Sequence, residues 1–254
     1  MSTSQLTIFI SRTSAHVAEV LRSSKDVVIE KDYTLTEGND VGYTEKLNRI
    51  FEDFPLKDEY QEYSLAWGTQ TKTLVPLGLF NESSAKDISQ FMFGKEIDTT
   101  TIDYNRLMEL SMVNVFEIPN WVKRFFIIKF PRILIQHEHT MFLRALFQGS
   151  TFNRKVLVNV CNDYINIDIV FHNELIFSNS FQIQNVDDII YYLAFTIEKE
   201  GLKEEVAEIQ FYFADDLSKQ LSEDSQMKIE KLKLFKNMTF KNAESSFKLQ
   251  TLCV

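Results

Sequence analysis

Two histidines stand one residue apart in His137-Glu138-His139, directly after a strand-like run. In extended backbone, side chains at i and i+2 point the same way, so the two imidazoles could share one metal ion. A third ligand is needed, and of the remaining histidines, His16 and His172, neither is tied to the pair by spacing. A capping or solvated role is the simpler expectation, and no metal site is expected. Cys161, at the end of a predicted strand, could act as a nucleophile, but no histidine or carboxylate is paired with it in the sequence. A buried, unreactive thiol accounts for it as well. There is no nucleophile elbow and no P-loop.

Composition narrows the chemistry further. The chain has 254 residues, 44% hydrophobic and 25% charged, with 22 phenylalanines. That is enough to bury a bulky core, near the length at which one core divides into two. The net charge of -9 would repel a phosphate backbone, so nucleic acid is not an expected partner. Two cysteines, Cys161 and Cys253, build no disulfide framework, and a reducing, cytoplasmic compartment fits best. No export signal or membrane-length apolar run is evident. There are only seven glycines, against roughly 7% of residues in average usage. Loops that cradle phosphates need backbone N–H groups close to the ligand, often at positive φ, which glycine supplies cheaply.

These residues must be positioned by elements whose order repeats. Gln5–Ser11, Ala15–Leu21 and Val27–Leu35 read as a three-stranded meander. Asp40 looks like the N-cap of a helix carrying Tyr43, Leu47, Ile50, Phe51 and Phe54 at helical spacing, closed by Pro55. Tyr63–Gly68 and Thr73–Val75 read as strands, and a short helix runs from Ser83 or Ser84 to Phe93. A small β-rich insertion is expected at about 99–118, within which Arg106–Leu110 could be helical. Pro119 opens a helix over Asn120–Phe130, Arg132–Gln136 reads as a buried strand, and Thr140–Phe147 as a helix ended by Gly149.

After Gln148–Asn153 the pattern restarts. Lys155–Val160, Tyr164–Phe171 and Leu175–Ile183 are three strands. Asn185 caps a helix with an apolar stripe from Val186 to Ile197, and Gly201 ends it. Glu208–Phe213 is a strand, Asp216–Lys231 a polar helix, and Leu232–Phe240 and Phe247–Val254 are strand-like. The expected organisation is therefore a first lobe over 1–149, containing the insertion, and a second over 150–254.

The duplicated order of three strands, helix, strand and helix resembles the superfamily of actin, heat-shock chaperone ATPases and sugar kinases. The wording points further. Val115-Phe-Glu-Ile-Pro-Asn-Trp-Val-Lys-Arg-Phe-Phe, Val156-Leu-Val-Asn-Val with Asn179-Ser-Phe, Asp187-Asp-Ile-Ile-Tyr-Tyr-Leu-Ala-Phe and Thr73-Leu-Val-Pro-Leu-Gly-Leu-Phe are similar to a family of uncharacterised Bacteroidota proteins. This resemblance runs over roughly Leu6 to Phe240. It implies a bacterial α/β protein with two actin-like, ribonuclease H-like lobes, each a mixed sheet flanked by helices. It is distantly like the cytoplasmic assembly proteins of type IV pili and type II secretion. The family implies no established activity.

Actin-like ATPases hold metal and phosphate with Asp-x-Gly in the first β-turn of each lobe, and adenosine with Gly-Gly after a later strand. Here the first turn is Ser11-Arg12-Thr13-Ser14, with neither carboxylate nor glycine. The second is Asn159-Val160-Cys161-Asn162-Asp163, and Asn-Asp is also what a tight hairpin prefers. After Phe213 come Ala214-Asp215-Asp216, where a helix N-cap explains the aspartates better. If a nucleotide binds, Arg12, Asn162, Asp163 and Asp215 are the residues to hold it.

The expected function is a non-catalytic, pseudo-ATPase relative without cofactor, acting through a protein partner or through self-association. The alternative is a nucleotide-binding switch with atypical turns, and a third reading is a small hydrolase built on His137 and His139. Phe125-Phe126-Ile127-Ile128, flanked by Lys123, Arg124 and Lys129, could lie on a membrane surface, but its apolar residues go nearly all round, which fits burial better.

Overall fold

The computed structural model describes residues 4–35, 40–58, 60–94, 98–149 and 152–251. β1 (Ser4–Ile10), β2 (Ser14–Leu21) and β3 (Val27–Thr34) form the antiparallel meander. Leu6, Ile8, Ile10, Ala15 and Val17 turn one face of it to the core. α1 (Asp40–Asp53) lays Tyr43, Leu47, Ile50 and Phe51 on that face. Asp40 is its first helical residue and not the cap that the sequence suggests. β4 (Glu62–Trp67) then runs parallel to β1, from Gln5↔Glu62 to Ile10↔Trp67.

The chain next makes an excursion. β5 (Lys72–Pro76), α2 (Ala85–Phe93), β6 (Ile102–Leu107) and β7 (Met112–Glu117) build a separate three-stranded sheet in the order β5-β7-β6. The inserted structure is thus wider than the 99–118 expected, because β5 pairs with β7 (Thr73↔Val115) and not with the main sheet. Arg106 and Leu107 end β6 instead of starting a helix, since Arg106↔Val113 and Leu107↔Met112 keep the ladder going. Only Met108–Leu110 coil, as a 3-10 turn.

α3 (Asn120–Lys129) follows, with Pro119 at its N-cap. β8 (Leu134–His137) pairs with β4 and closes the first sheet in the order β3-β2-β1-β4-β8. As an edge strand it leaves Leu134 53% exposed, so the fully buried strand expected over Arg132–Gln136 is not what forms. α4 (Glu138–Gln148) completes this part.

The second pass repeats the first strand for strand. β9 (Lys155–Val160), β10 (Tyr164–Phe171) and β11 (Glu174–Gln182) form the meander. His172 and Asn173, both at positive φ, make its second turn. α5 (Val186–Lys199) is capped by Asn185, whose side chain accepts from the N–H groups of Asp187 and Asp188. β12 (Ala207–Phe213), α6 (Asp216–Lys231) and β13 (Met238–Ser245) complete a sheet in the order β11-β10-β9-β12-β13. Matched by position, it is the order of the first sheet.

The end differs from expectation. Phe247 begins no strand, because β13 already holds the edge position beside β12, and the chain coils into α7 (Ser246–Thr251). Residues 252–254, with Cys253, lie outside the described residues, as do 150 and 151 in the turn-rich stretch where the pattern restarts.

By internal contacts the chain divides into two compact units. One is Met1–Ala145 with Leu249–Val254, and the other is Leu146–Lys248. The first centres on aromatic rings from α1 and α3 packed over the sheet, with Phe51, Phe126 and Phe130 buried among them. The second is aliphatic, with Val156, Val158, Ile165, Ile167, Ile189 and Leu193 at its heart.

Candidate functional site: the turns that follow β1 and β9

The duplication extends to single hydrogen bonds. In the first unit the Ser11 N–H donates to the Ser14 carbonyl (2.9 Å), Leu35 N–H to Thr13 (2.7 Å) and Gly68 N–H to Ile10 (2.8 Å). In the second, Cys161 N–H donates to Tyr164 (2.9 Å), Ile183 N–H to Asp163 (2.9 Å) and Ala214 N–H to Val160 (3.3 Å). Ser11 and Cys161 therefore hold the same place, as do Arg12 and Asn162, Thr13 and Asp163, and Gly68 and Ala214. Both turns sit where the meander leaves the carboxyl end of a strand with a parallel neighbour. Open α/β sheets bind their ligands at such ends.

In the first turn a side chain occupies the amides. Ser11 Oγ accepts from the N–H groups of Thr13 (3.2 Å) and Ser14 (3.0 Å). These are donors that a phosphate would otherwise draw on. The Arg12 side chain is exposed, and its carbonyl accepts from the Tyr43 hydroxyl (3.0 Å), which ties the turn to α1. Gly68 has a packing reason of its own, since a Cβ there would stand 3.0 Å from the Phe9 ring.

In the second unit, Asn162 Nδ2 donates to Asp215 Oδ2 (2.9 Å). The strands explain the meeting: Val160 and Phe213 are parallel neighbours, and each of the two residues lies two positions past its strand end. Asp215 also caps α6, accepting from the Ser218 N–H (3.0 Å), while Ser218 Oγ accepts from the Asp215 N–H (2.8 Å). Asp163 is exposed at the tip of the turn. The fold thus joins Asn162 to Asp215 and places Asp163 beside them, while Arg12 belongs to the other unit. Asp215→Ala removes a cap and leaves Asn162 Nδ2 without this acceptor. We expect it to cost about 1–2 kcal/mol, read by urea unfolding.

Sequence reasoning missed two features. Ser11 at the head of Ser-x-x-Ser is a local signal for a hydroxyl that closes its own turn. Lys72 carried no such signal, for its role depends on residues 65 or more positions away. Its Nζ lies 2.8 Å from His139 Nδ1. His139 N–H donates to His137 Nδ1 (3.0 Å), and His137 Nε2 lies 3.0 Å from the Thr69 carbonyl. Burial, together with Lys72 and His139 nearby, holds the His137 imidazole well below its ordinary range, and so neutral.

Lys72 thus engages His139 Nδ1, and both ring nitrogens of His137 are engaged as well, at the His139 N–H and the Thr69 carbonyl. The other histidines are engaged elsewhere: His16 with Asp32 (2.6 Å), and His172 stacked on Phe171. Cys161 is buried. Among the described residues no three metal-ligating side chains converge.

Two lobes of this topology, each with its turn at the carboxyl end of the first strand, define a protein of the actin-like ATPase fold. The structure is similar to that of a Bacteroides thetaiotaomicron protein with actin-like ATPase fold and unknown function. The TM-score is 0.79 at 18% identity, covering 100% of this chain and 97% of that one. It is also similar to the type IV pilus biogenesis complex PilM-PilN, with a TM-score of 0.56 at 7% identity and coverage of 100% and 95%. At these identities the likeness is one of fold. A sequence profile of DUF3822, a family of proteins of unknown function, matches residues 2–237, and the chain belongs to that family. Among curated proteins no sequence matches.

Proposed function

We propose that this protein is a non-catalytic member of the actin-like fold that works through contact with another protein or with copies of itself. The observation that carries the reading is the Ser11 hydroxyl seated on the amides of the first phosphate turn. A phosphate there would have to displace a satisfied side chain and would find neither glycine nor carboxylate in the turn. Asp215, committed to Asn162 and to the cap of α6, adds to this. PilM-PilN, a complex by its description, offers a case of this fold joined to a partner. Among the described residues no helix is long and apolar enough to cross a membrane. The cytoplasmic placement drawn from the cysteines belongs to the same proposal.

The test is thermal unfolding with and without millimolar Mg-ATP or Mg-ADP. A ligand present at ~100 times its dissociation constant adds about 2.7 kcal/mol, a rise of a few degrees for a chain of this size. We expect no rise. The joining of Asn162 to Asp215 beside Asp163 favours one second reading, a nucleotide switch centred on the second turn. A rise in midpoint that Asp163→Ala abolishes would establish that reading and end the first.

A further inference from the structure

Two exposed stripes remain without a role. Between α1 and α3 lies an open groove of about 480 Å³, lined by Thr44, Asn48, Trp121, Arg124, Phe125, Ile128 and Lys129. Its walls set the apolar Trp121, Phe125 and Ile128 among polar Thr44 and Asn48 and two cations. Trp121, Phe125 and Ile128 repeat at i, i+4 and i+7, and Ile128 is 80% exposed. The charged residues that line it, Arg124 and Lys129, are both cationic and in no ion pair among the described residues, in a chain whose net charge is -9. In the second unit, α5 shows solvent a stripe with the same period: Tyr191, Phe195 and Glu198 at i, i+4 and i+7, with Asp187 one turn before. Tyr191 is 62% exposed and stacks on Phe195 (6.3 Å). Lys199 lies 5.7 Å over the Phe195 ring, and Asp187 is held by Lys228 (2.5 Å). Glu198 is exposed and in no ion pair among the described residues.

We propose that the α1/α3 groove of one copy receives the α5 stripe of a second copy. Seven residues of helix span about 10 Å on either side, so the two stripes match in length. Helix-in-groove docking is read from anchors at i, i+4 and i+7, here Tyr191 and Phe195 against Trp121, Phe125 and Ile128. Glu198 meets Arg124 and Lys129, which supplies the charge complementarity. A membrane surface is the poorer occupant, because the apolar residues line a concave groove and Phe126, at the centre of α3, is in the core. Groove and stripe are different patches, so the contact is heterologous, and it generates rings or open chains according to the angle between successive copies.

The inference rests on the non-catalytic, contact-making function proposed above, and the two fail differently. Nucleotide binding would end that function. A wild-type protein that neither binds nucleotide nor associates ends this inference alone.

The test is sedimentation velocity over a hundredfold range of concentration, with anionic phosphatidylserine vesicles as a parallel arm. Wild type is expected to associate as concentration rises. Arg124→Glu and Glu198→Lys, both at exposed positions and so expected to leave the melting midpoint in place, are each expected to weaken association by about tenfold or more. Their combination in one chain is expected to recover much of it. A monomeric wild type, variants that associate as wild type does, or a double variant no better than either single one would overturn the proposal. So would vesicle binding that Arg124→Glu abolishes in a protein that stays monomeric in solution.

Discussion

Phe126→Ala is expected to remove about 3–5 kcal/mol of stability, the cost of a large cavity in a packed core. Phe126 is fully buried on α3 and meets Phe51 edge-on (5.9 Å, 85°), Phe125 edge-on (5.1 Å, 79°) and Phe130 (6.5 Å). Truncation takes one ring out of several such pairs at once, beyond the area it returns to water. Denaturant unfolding should show the loss as a lower midpoint. Ile127→Ala, next to it on the same helix but 50% exposed, should stay within about 0.5 kcal/mol of wild type. Equal losses in the two variants would mean that α3 is not packed by the face described.

Acidification below pH 6.5 is expected to destabilise the protein by a step that carboxylates do not explain. His137 is held neutral in the folded protein, while in the unfolded chain it titrates near 6.5. Between its lowered folded value and 6.5 the unfolded state binds one more proton, so stability rises with pH in that window. It is complete above about 6.5 and falls by about 1.4 kcal/mol per pH unit as the pH drops toward the folded value. The cause lies in the geometry: a proton on Nδ1 would displace the His139 N–H bond and place a cation beside Lys72. Stability measured by denaturant from pH 7.5 down to pH 5 should show the slope. His137→Gln should be less stable at neutral pH and flatter across this window; an unchanged slope would assign the step to another group.

The pattern of residues determined the plan of the molecule because each strand and helix carries its own periodicity. Alternation in Tyr164–Phe171 and the apolar stripe of Val186–Ile197 are set by local geometry, and the order in which such elements follow one another was enough for the duplicated topology. Local capping was legible for the same reason: Asn185 and Asp215 each bond backbone groups within three residues. What lay beyond reach was every feature made by distant partners. β5 reads as a strand in isolation, but its pairing with β7, which widens the insertion, depends on residues some forty positions on. Phe247–Val254 has strand-like composition, yet β13 already holds the edge of that sheet.

The chemistry divides along the same line. That the turns after β1 and β9 lack the expected glycines and carboxylates is a property of the sequence alone, since residue type at a turn is local. That Ser11 closes the first turn is local too, a contact within three residues, whereas that Asn162 reaches Asp215 and that Lys72 sits on His139 inside the first unit were decided by tertiary structure. Hydrogen bonds between residues 53 and 67 positions apart exist only once sheets and helices have set their distance.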